Sequence, residues 1–180
     1  MWSIKVGDIF LGGFSGLDVG ATKNTLVTIT DRGPNSNSYD FDKDGLKDRA
    51  FPFPNFSPEV IILSYSTSEL IIKKRIPLKV AQHKKMTGIP NQGKKENEDS
   101  FDEAPFNLDR EPLSFSPIGV DPEGIVTDKK GNYWIVEEYG PSILKVSPEG
   151  ILEKRFIPNI QSSKRAGLKN LPSIIGHRTL

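Results

Sequence analysis

The sequence predicts an all-β fold built from short antiparallel strands arranged as the blades of a β-propeller. Three observations support this fold class. The 180 residues include 16 glycines and 14 prolines, a composition that favours many strands and turns over helices. Residues 121–150 alternate strand-like and turn-like segments without a helical period. A stretch near the N-terminus repeats the same plan, and repeated β units are typical of propellers.

The segment at 121–150 reads DPEGIVTDKKGNYWIVEEYGPSILKVSPEG. Its most strand-like part, residues 133–136, is an aromatic and β-branched run. Turn-forming residues precede this run at 129–132 and close the segment at 148–150. The segment therefore predicts a β-meander with strands over 124–127, 133–136 and 142–146.

The stretch near the N-terminus aligns with this meander segment by segment. Residues 14–19 (FSGLDV) parallel residues 122–127 (PEGIVT), an offset of 108 residues (122 − 14). Residues 31–34 (DRGP) parallel residues 138–141 (EYGP), an offset of 107 residues (138 − 31). Because a propeller blade takes roughly 40–50 residues, the spacing fits two blades with an insertion between them. The alternative is a chance similarity between two hairpins.

The other strands follow from the local pattern along the chain. Residues 59–65 (EVIILSY) form a near-continuous apolar run, which predicts a buried strand. Its hairpin partner is predicted over 69–78, after a Ser-Thr-Ser turn. Further strands are predicted over 9–11, 24–30 and 151–157. The chain, 1–180, is predicted to be one domain, with loop insertions at 35–58 and 81–119.

The insertion at 35–58 contains an acidic pattern, D-x-D-x-D-G-x-x-D, that suits a calcium ion. Alternating aspartates can converge on one cation, and Gly45 permits the sharp turn between them. The spacing matches the start of an EF-hand loop, but the twelfth position is Phe51 instead of the bidentate Glu. We predict a shorter calcium loop, and a solvated acidic loop is the alternative. The candidate metal ligands are Asp40, Asp42, Asp44 and Asp48.

Composition excludes several classes of function. The net charge of +1 does not indicate nucleic acid or an anionic membrane surface as a partner. The absence of cysteine rules out disulfides and thiolate zinc sites. No apolar run approaches the length of about 18 residues that a membrane span needs. The N-terminus has neither the basic start nor the long apolar core of a secretion signal.

The common nucleophile and phosphate motifs are also missing from the sequence. Ser15 lies in GFSGL, which departs from the G-x-S-x-G elbow at its last position. His83 and His177 stand in no motif that would support a Ser-His-Asp triad or a zinc site. No G-x-x-x-x-G-K-S/T loop occurs. Carboxylate chemistry with a hard metal ion remains.

The candidate carboxylates for such chemistry are Glu123, Glu138 and Asp31. Glu123 precedes Gly124, which lets the backbone approach a ligand, although a strand-start acid that bonds a neighbouring turn is the alternative. Glu137 and Glu138 are adjacent, so on a strand their side chains face opposite sides. The repeat aligns Glu138 with Asp31, and we therefore assign Glu138 to a shared site.

Arg32 and Tyr139 are candidates for substrate contact beside these carboxylates. Arg32 follows Asp31 directly and can clamp a phosphate with two hydrogen bonds. Its alternative role is a salt bridge to Asp31 or Glu138 that stiffens the turn. Tyr139 occupies the position equivalent to Arg32 in the second repeat, and an aromatic of the core or rim is its alternative role.

Seven stretches of the sequence resemble the phytase-like family, usually described as "esterase-like activity of phytase". They occur in family order across nearly the whole chain: GGFSGLDV, TITDRGPN, FPFPNFSPEVIIL, MTGIPN, DPEGIVTD, YWIVEEYGPSILKVSPEG and LPSIIGHR. The combination of DRGP with EEYGP is the most specific part of the resemblance. The resemblance implies a secreted or periplasmic β-propeller, distantly related to the calcium-dependent propeller phytases.

The resemblance also implies a chemistry, in which calcium ions held by carboxylates grip phosphate and activate water. Carried onto this sequence, Glu123, Glu138 and Asp31 would be metal ligands or catalytic groups that position the water. Arg32 would bind the substrate anion, with Tyr139 beside it. The implied partners are small-molecule esters or phosphate esters.

Members of the family extend well beyond the position of Leu180, so the chain resembles the front part of their domain. This predicts a partial propeller of about three blades that does not close. It also predicts weak or no activity from this chain alone and self-association through open sheet edges. Two other functions stay open: a noncatalytic, calcium-stabilised binding module and a propeller similar to the sugar lactonases.

Overall fold

The computed structural model describes residues 5–6, 9–91 and 103–157. All regular structure in these residues is β, which confirms the all-β part of the predicted fold class, and the arrangement as a propeller stays a prediction. No helix capable of crossing a membrane occurs in them. The strands, in chain order, are β1 (Lys5–Val6), β2 (Ile9–Phe10), β3 (Phe14–Val19), β4 (Thr25–Thr30), β5 (Asp48–Ala50), β6 (Glu59–Tyr65), β7 (Leu70–Pro77), β8 (Lys79–Ala81), β9 (Lys84–Lys85), β10 (Ala104–Phe106), β11 (Pro122–Thr127), β12 (Tyr133–Glu137), β13 (Ser142–Val146) and β14 (Leu152–Phe156).

The first large sheet contains four antiparallel strands in the order β3-β4-β6-β7. Its two central strands, β4 and β6, are the apolar runs TLVTIT and EVIILSY. One face of the sheet presents Val27, Ile29 and Val60 to the hydrophobic core. Intervening side chains point to the opposite face, because successive residues of a strand alternate. The strands predicted for this sheet are confirmed to within a residue at each end.

The second large sheet is an antiparallel meander in the order β11-β12-β13-β14. It confirms the three strands predicted within 121–150 and the strand predicted over 151–157. Its inner face contributes Ile135, Leu144 and Val146 to the same core cluster as the first sheet. The two sheets therefore bury their apolar faces in one core, and this burial is the main stabilisation of the fold.

The internal repeat is visible in β3 and β11, the first strand of each large sheet. Each has a register irregularity at its second residue, between Phe14 and Gly16 in β3 and between Pro122 and Gly124 in β11. A bulge at the same position in the first strand of both sheets is improbable as a coincidence. The repeat read from the sequence is therefore also a repeat of structure.

The turns that leave β4 and β12 begin alike as well. The Asp31 N–H donates to the Gly13 carbonyl at 2.7 Å, and the Glu138 N–H donates to the Asp121 carbonyl at 3.1 Å. Each hydrogen bond joins the first residue of the turn to the residue that precedes the first strand of the same sheet, β3 or β11. The repeat thus places Asp31 and Glu138 at equivalent ends of the two sheets.

β3 and β11 pack closely where each of them carries a glycine. A Cβ atom on Gly16 would lie 2.7 Å from the Ile125 nitrogen and 2.9 Å from the Gly124 Cα. Further along the strands, the Asp18 carboxylate accepts a hydrogen bond from the Thr127 N–H at 2.7 Å. The lack of a side chain at position 16 is what lets the two sheets approach each other.

The two segments predicted as loop insertions are joined to each other. β5, from residues 35–58, pairs in parallel with β10, from residues 81–119. Arg49 reinforces the junction, because its guanidinium pairs with the Glu103 carboxylate and also donates to Asn35 Oδ1 at 2.7 Å. The sequence predicts loops here, and polar side chains that hold three-residue strands explain the difference, since such strands have no apolar alternation.

The described residues form two four-stranded sheets and three two-stranded sheets, the latter being β1-β2, β5-β10 and β8-β9. The sequence predicts about three four-stranded blades, and this part of the chain contains two four-stranded sheets, whose arrangement as propeller blades stays a prediction. The described residues contain no closed ring of sheets. β7 is the edge strand opposite β3 in the first large sheet, and β14 is the edge strand opposite β11 in the second.

Candidate active site

Three carboxylates converge at the start of β11, the first strand of the second sheet. Asp121 immediately precedes β11, Glu123 is the second residue of that strand, and Glu138 follows β12. One oxygen atom of each side chain lies within 4.8 Å of the other two. Carboxylate oxygens gathered in this way are the donors that a hard cation prefers. We call Asp121, Glu123 and Glu138 the carboxylate triad.

The electrostatics of the triad favour an added positive charge. Asp121 is only 2% exposed, and burial raises its pKa to about 7, against the attraction of Arg32 and with repulsion from Glu138 and Glu123. Burial also raises the pKa of Glu123, and the negative charges of Glu138 and Asp31 raise it further. Because these groups repel one another, the triad gains free energy when it binds a proton or a cation.

Asp31 lies beside the triad but is not one of its three members. Its Oδ1 accepts a hydrogen bond from the Gly33 N–H at 2.7 Å, and its Oδ2 makes no hydrogen bond with a described residue. Burial raises the pKa of Asp31. The structure therefore brings together Glu123, Glu138 and Asp31, the three carboxylates that the repeat assigned to one site.

Arg32 makes its contacts within the protein. Its backbone N–H donates to Asp121 Oδ1 at 3.0 Å, and its Nε lies 3.2 Å from Asp121 Oδ2. Its Nη1 lies 3.6 Å from Glu103 Oε2 and 3.4 Å from the Tyr139 hydroxyl. The sequence offered Arg32 as a phosphate clamp or as a salt-bridge partner of Asp31 or Glu138. In the structure Arg32 forms salt bridges with Asp121 and Glu103 instead of Asp31 or Glu138, and its predicted contact with a substrate anion stays a prediction.

Tyr139 supports Arg32 from below. It is 3% exposed, its hydroxyl donates to the Gly88 carbonyl at 2.9 Å, and its ring centroid is 5.7 Å from the Arg32 guanidinium carbon. Gly88 belongs to the MTGIPN stretch, and a Cβ atom there would collide with the Arg32 carbonyl oxygen. Tyr139 thus has the buried placement of a core aromatic, and its predicted contact with substrate stays a prediction.

Glu137 points away from the triad, as the alternation of a strand requires. It is 4% exposed, and its carboxylate accepts hydrogen bonds from the Tyr139 N–H at 3.1 Å and the Ser142 hydroxyl at 2.6 Å. Burial raises the pKa of Glu137, and the positive charge of the buried Arg155 acts in the opposite direction. The structure therefore places Glu138, and not Glu137, beside Asp121 and Glu123, and the role of Glu138 in a shared site stays a prediction.

A second acidic group lies in the 35–58 insertion. Carboxylate oxygens of the exposed Asp40, Asp42 and Asp44 lie within 4.8 Å of one another. Each of the three also accepts a backbone hydrogen bond within its own turn, from Gly45, Asp44 and Leu46 respectively. These local bonds are what a solvated acidic loop would show, so the geometry is compatible with both sequence interpretations.

Asp48, the fourth predicted ligand of that loop, is separate from this group. It is 1% exposed, and its Oδ2 accepts a hydrogen bond from the Phe41 N–H. Its backbone pairs with that of Tyr39 in both directions, at 2.6 and 3.0 Å. Asp48 therefore closes the base of the loop, whereas the other three aspartates lie at its tip.

Sequence reasoning missed Asp121 and Glu103 as members of the site. The repeat aligns Asp121 with Gly13, so the comparison of the two repeats gave no acidic signal at that position. Glu103 ends a highly charged stretch that the sequence assigned only to a loop. The one indication of Asp121 in the sequence was its position, as an acidic residue directly before a strand-like segment.

Comparison with known proteins identifies the family. No curated protein and no solved structure matches the chain. The family model described as phytase-like, esterase-like activity of phytase, matches residues 9–173 and so covers nearly the whole sequence, including every residue of the carboxylate triad. The chain therefore belongs to the phytase-like family.

Proposed function

We propose that the carboxylate triad is the cation site of a calcium-dependent hydrolase of small-molecule esters or phosphate esters. The observation that carries the proposal is the convergence of three carboxylate oxygens within 4.8 Å, two of them on exposed side chains. Membership in a family described by esterase-like activity supports the reaction class. An extracellular or periplasmic location fits this proposal, because calcium is plentiful there.

The residues present fit a hard cation. Calcium takes oxygen ligands in flexible geometry, and the triad supplies carboxylates from two different strand ends. The repulsion that raises the pKa values of Asp121 and Glu123 is relieved when a cation binds. A bound calcium ion would supply positive charge to an ester oxygen and lower the pKa of a water molecule beside it.

The side chains around the triad have separate roles in this proposal. Glu123 and Glu138 are exposed and accessible to a ligand from solvent, whereas Asp121 is buried and held in one orientation by Arg32. Asp31 has an oxygen without a hydrogen bond to a described residue, so it can accept the proton of an attacking water. Arg32 acts by positioning Asp121.

Calcium binding and ester hydrolysis test the proposal separately. Calorimetry with the full chain is expected to show a calcium ion whose binding is lost in the Glu123→Gln, Glu138→Gln double variant, which keeps the ion of the 35–58 loop. The exposed Glu69, in a remote turn, provides the matched control Glu69→Gln, which should bind calcium as the wild type does. Hydrolysis of carboxylate and phosphate esters with and without chelator reads the chemistry. Full activity in excess chelator, or in the double variant, contradicts the proposal.

A calcium ion at the tip of the 35–58 insertion is a second part of the proposal, with a structural role. Asp40, Asp42 and Asp44 would hold it, and Asp48 would contribute by closing the loop. The Asp42→Ala, Asp44→Ala double variant should lose the calcium ion of the loop and keep the ion of the triad. In the presence of calcium it should melt at a lower temperature than the wild type. Asp109→Ala, at another exposed position, is the control. Equal uptake by the double variant and the wild type would rule out the loop as a site.

A noncatalytic, calcium-stabilised binding module is the second candidate function. The observation that favours it is the engagement of Arg32 and Tyr139 in internal contacts, which leaves neither as an obvious anion clamp. The same experiment separates the two candidates. Calcium uptake that depends on Glu123 and Glu138, without turnover of any ester, would favour the module over the hydrolase.

A further inference from the structure

A cavity of about 470 Å³ lies at the same end of the first sheet as Asp31. Its volume is within the range of small-molecule sites, roughly 300–1,000 Å³. Thr30 of β4, Glu59 of β6 and Arg75 of β7 line it from the sheet, and Phe56 and Lys85 line it from other segments. The five residues combine one aromatic ring, which can pack on an organic group, with polar and charged groups that can fix the orientation of a ligand.

The cavity and the carboxylate triad are neighbours on either side of Asp31. Asp31 lines the cavity, and the backbone N–H of the next residue, Arg32, donates to Asp121 of the triad at 3.0 Å. Thr30 alternates with Ile29, which faces the core, so the cavity lies on the opposite face of the first sheet from the core. A ligand that reaches the triad past Asp31 can therefore extend into the cavity.

Among the described residues, Lys85 is a positively charged residue of the cavity lining that has no ion-pair partner. Arg75 Nε lies 2.6 Å from Glu59 Oε2, so these two residues neutralise each other. Asp31 belongs to the reacting end in the proposed function. Lys85 is exposed and makes no ion pair with a described residue, although its side chain lines the cavity. The lining of the cavity therefore includes a positive charge, that of Lys85, which a ligand can contact.

We infer that this cavity binds the non-reacting part of the substrate and selects substrates that carry an anionic group there. The inference rests on the proposed hydrolase function for its reacting end. Lys85 contacts the anionic group, Phe56 packs on the organic part, and the ester lies towards Asp31 and the triad. A carboxylate and a phosphonate offer the same chemistry to Lys85, so the experiment includes both.

Lys85→Met, with Lys84→Met as its matched control, tests the inference. Both lysines are exposed on β9, but only Lys85 lines the cavity. The substrates are phenyl acetate, 4-acetoxybenzoate and 4-acetoxyphenylphosphonate, which differ only in a remote group that a hydrolase of esters does not cleave. In Lys85→Met, we expect the KM of one or both anionic esters to rise about fivefold with kcat unchanged, the scale of one exposed ion pair. Phenyl acetate and the Lys84→Met protein should show no change.

A binding measurement keeps the inference separate from the hydrolase proposal. Calorimetry compares 4-hydroxybenzoate and 4-hydroxyphenylphosphonate, neither of which is an ester, with neutral 4-hydroxybenzamide on the same three proteins. Anion binding that depends on Lys85 but not on Lys84, without any turnover, would support the cavity and count against the hydrolase. Turnover or anion binding that responds equally to the two substitutions, or to neither, would overturn the cavity and leave the hydrolase standing.

Discussion

Glu137 and Glu138 are adjacent residues with opposite environments. Glu138 is exposed within the carboxylate triad, whereas Glu137 is buried, with hydrogen bonds from the Tyr139 N–H and the Ser142 hydroxyl. Glu137 also faces the positive charge of Arg155, which is 8% exposed. Glu137 thereby holds the turn that presents Glu138 to solvent.

Glu137→Leu is expected to lower the free energy of unfolding by about 3 kcal/mol, because it leaves Arg155 buried without a counter-charge. Glu138→Leu, one residue away and exposed, should change it by no more than about 0.5 kcal/mol. Urea denaturation of both variants measures the two values. If the two substitutions had equal effects, the structural role of Glu137 would be refuted.

Asp128 shows a residue-scale effect that depends on pH. Its carboxylate accepts hydrogen bonds from the Lys130 and Asn132 N–H groups, from the Asn132 side chain and from Trp134 Nε1. The bond from the Asn132 side chain contributes most, and together they hold the pKa of Asp128 well below its ordinary value of 3.8. A folded-state pKa below the unfolded value means that Asp128 stabilises the protein above pH 3.8 and loses this effect as the pH falls further.

Asp128→Ala should therefore lower the Tm at pH 7, and the difference from the wild type should shrink as the pH falls below 3.8. Circular dichroism melts across this range measure both. Asp109→Ala, at an exposed position, is expected to leave the Tm unchanged at each pH. A difference for Asp128→Ala that stays constant down to the acid transition would contradict the account.

At the scale of elements, the approach of β3 to β11 depends on Gly16. A Cβ atom at this position would lie 2.7 Å from the Ile125 backbone nitrogen, which cannot move away as a flexible side chain would. Asp121 and Glu123 lie at the start of β11, and the Asp31 N–H donates to the carbonyl of Gly13, which precedes β3, so the separation of the two strands also sets the geometry of the candidate site. The glycine thus links sheet packing to function.

Gly16→Ala is expected to lower the free energy of unfolding by about 1–3 kcal/mol, the usual cost of overpacking. Gly12→Ala is the control, because nothing lies within 4 Å of a Cβ atom there. Urea denaturation compares the two proteins. A Gly16→Ala protein as stable as the Gly12→Ala protein would show that the sheets can separate without cost.

At the scale of the whole molecule, the second sheet has an apolar face without a partner among the described residues. Val136, Ile143 and Phe156 lie side by side across β12, β13 and β14 and are 46%, 44% and 40% exposed. Trp134 stacks on Phe156 with ring centroids 5.7 Å apart. An exposed apolar patch on a sheet face favours association.

The chain is expected to self-associate through this face, and the Val136→Thr, Ile143→Thr double variant should be monomeric at concentrations where the wild type is not. Threonine keeps the β-branched shape that suits a strand. Sedimentation at several concentrations measures the association. Leu17→Thr on the first sheet, where Leu17 is 65% exposed, is the control. A wild type that stays monomeric at every concentration, or a double variant that associates as the wild type does, would remove this prediction.

The sequence by itself determined the strands of both large sheets, since apolar runs such as residues 59–65 and turn residues such as those at 129–132 act locally. It also determined the repeat, and from the repeat the pairing of Asp31 with Glu138 at equivalent sheet ends. These features follow from neighbours in the chain, which a pattern can report.

Only the tertiary structure decided which atoms meet. Asp121 joins the site because Arg32, 89 residues away in the chain, donates its N–H to the Asp121 carboxylate. Glu103 joins it because its Oε2 lies 3.6 Å from Arg32 Nη1, in a distant segment of the chain. The loop insertions pair with each other through β5 and β10, which no local pattern indicates. Such contacts depend on the packing of distant segments. The sequence therefore indicated Glu123, Glu138 and Asp31, but not Asp121, Glu103 or the partners of Arg32.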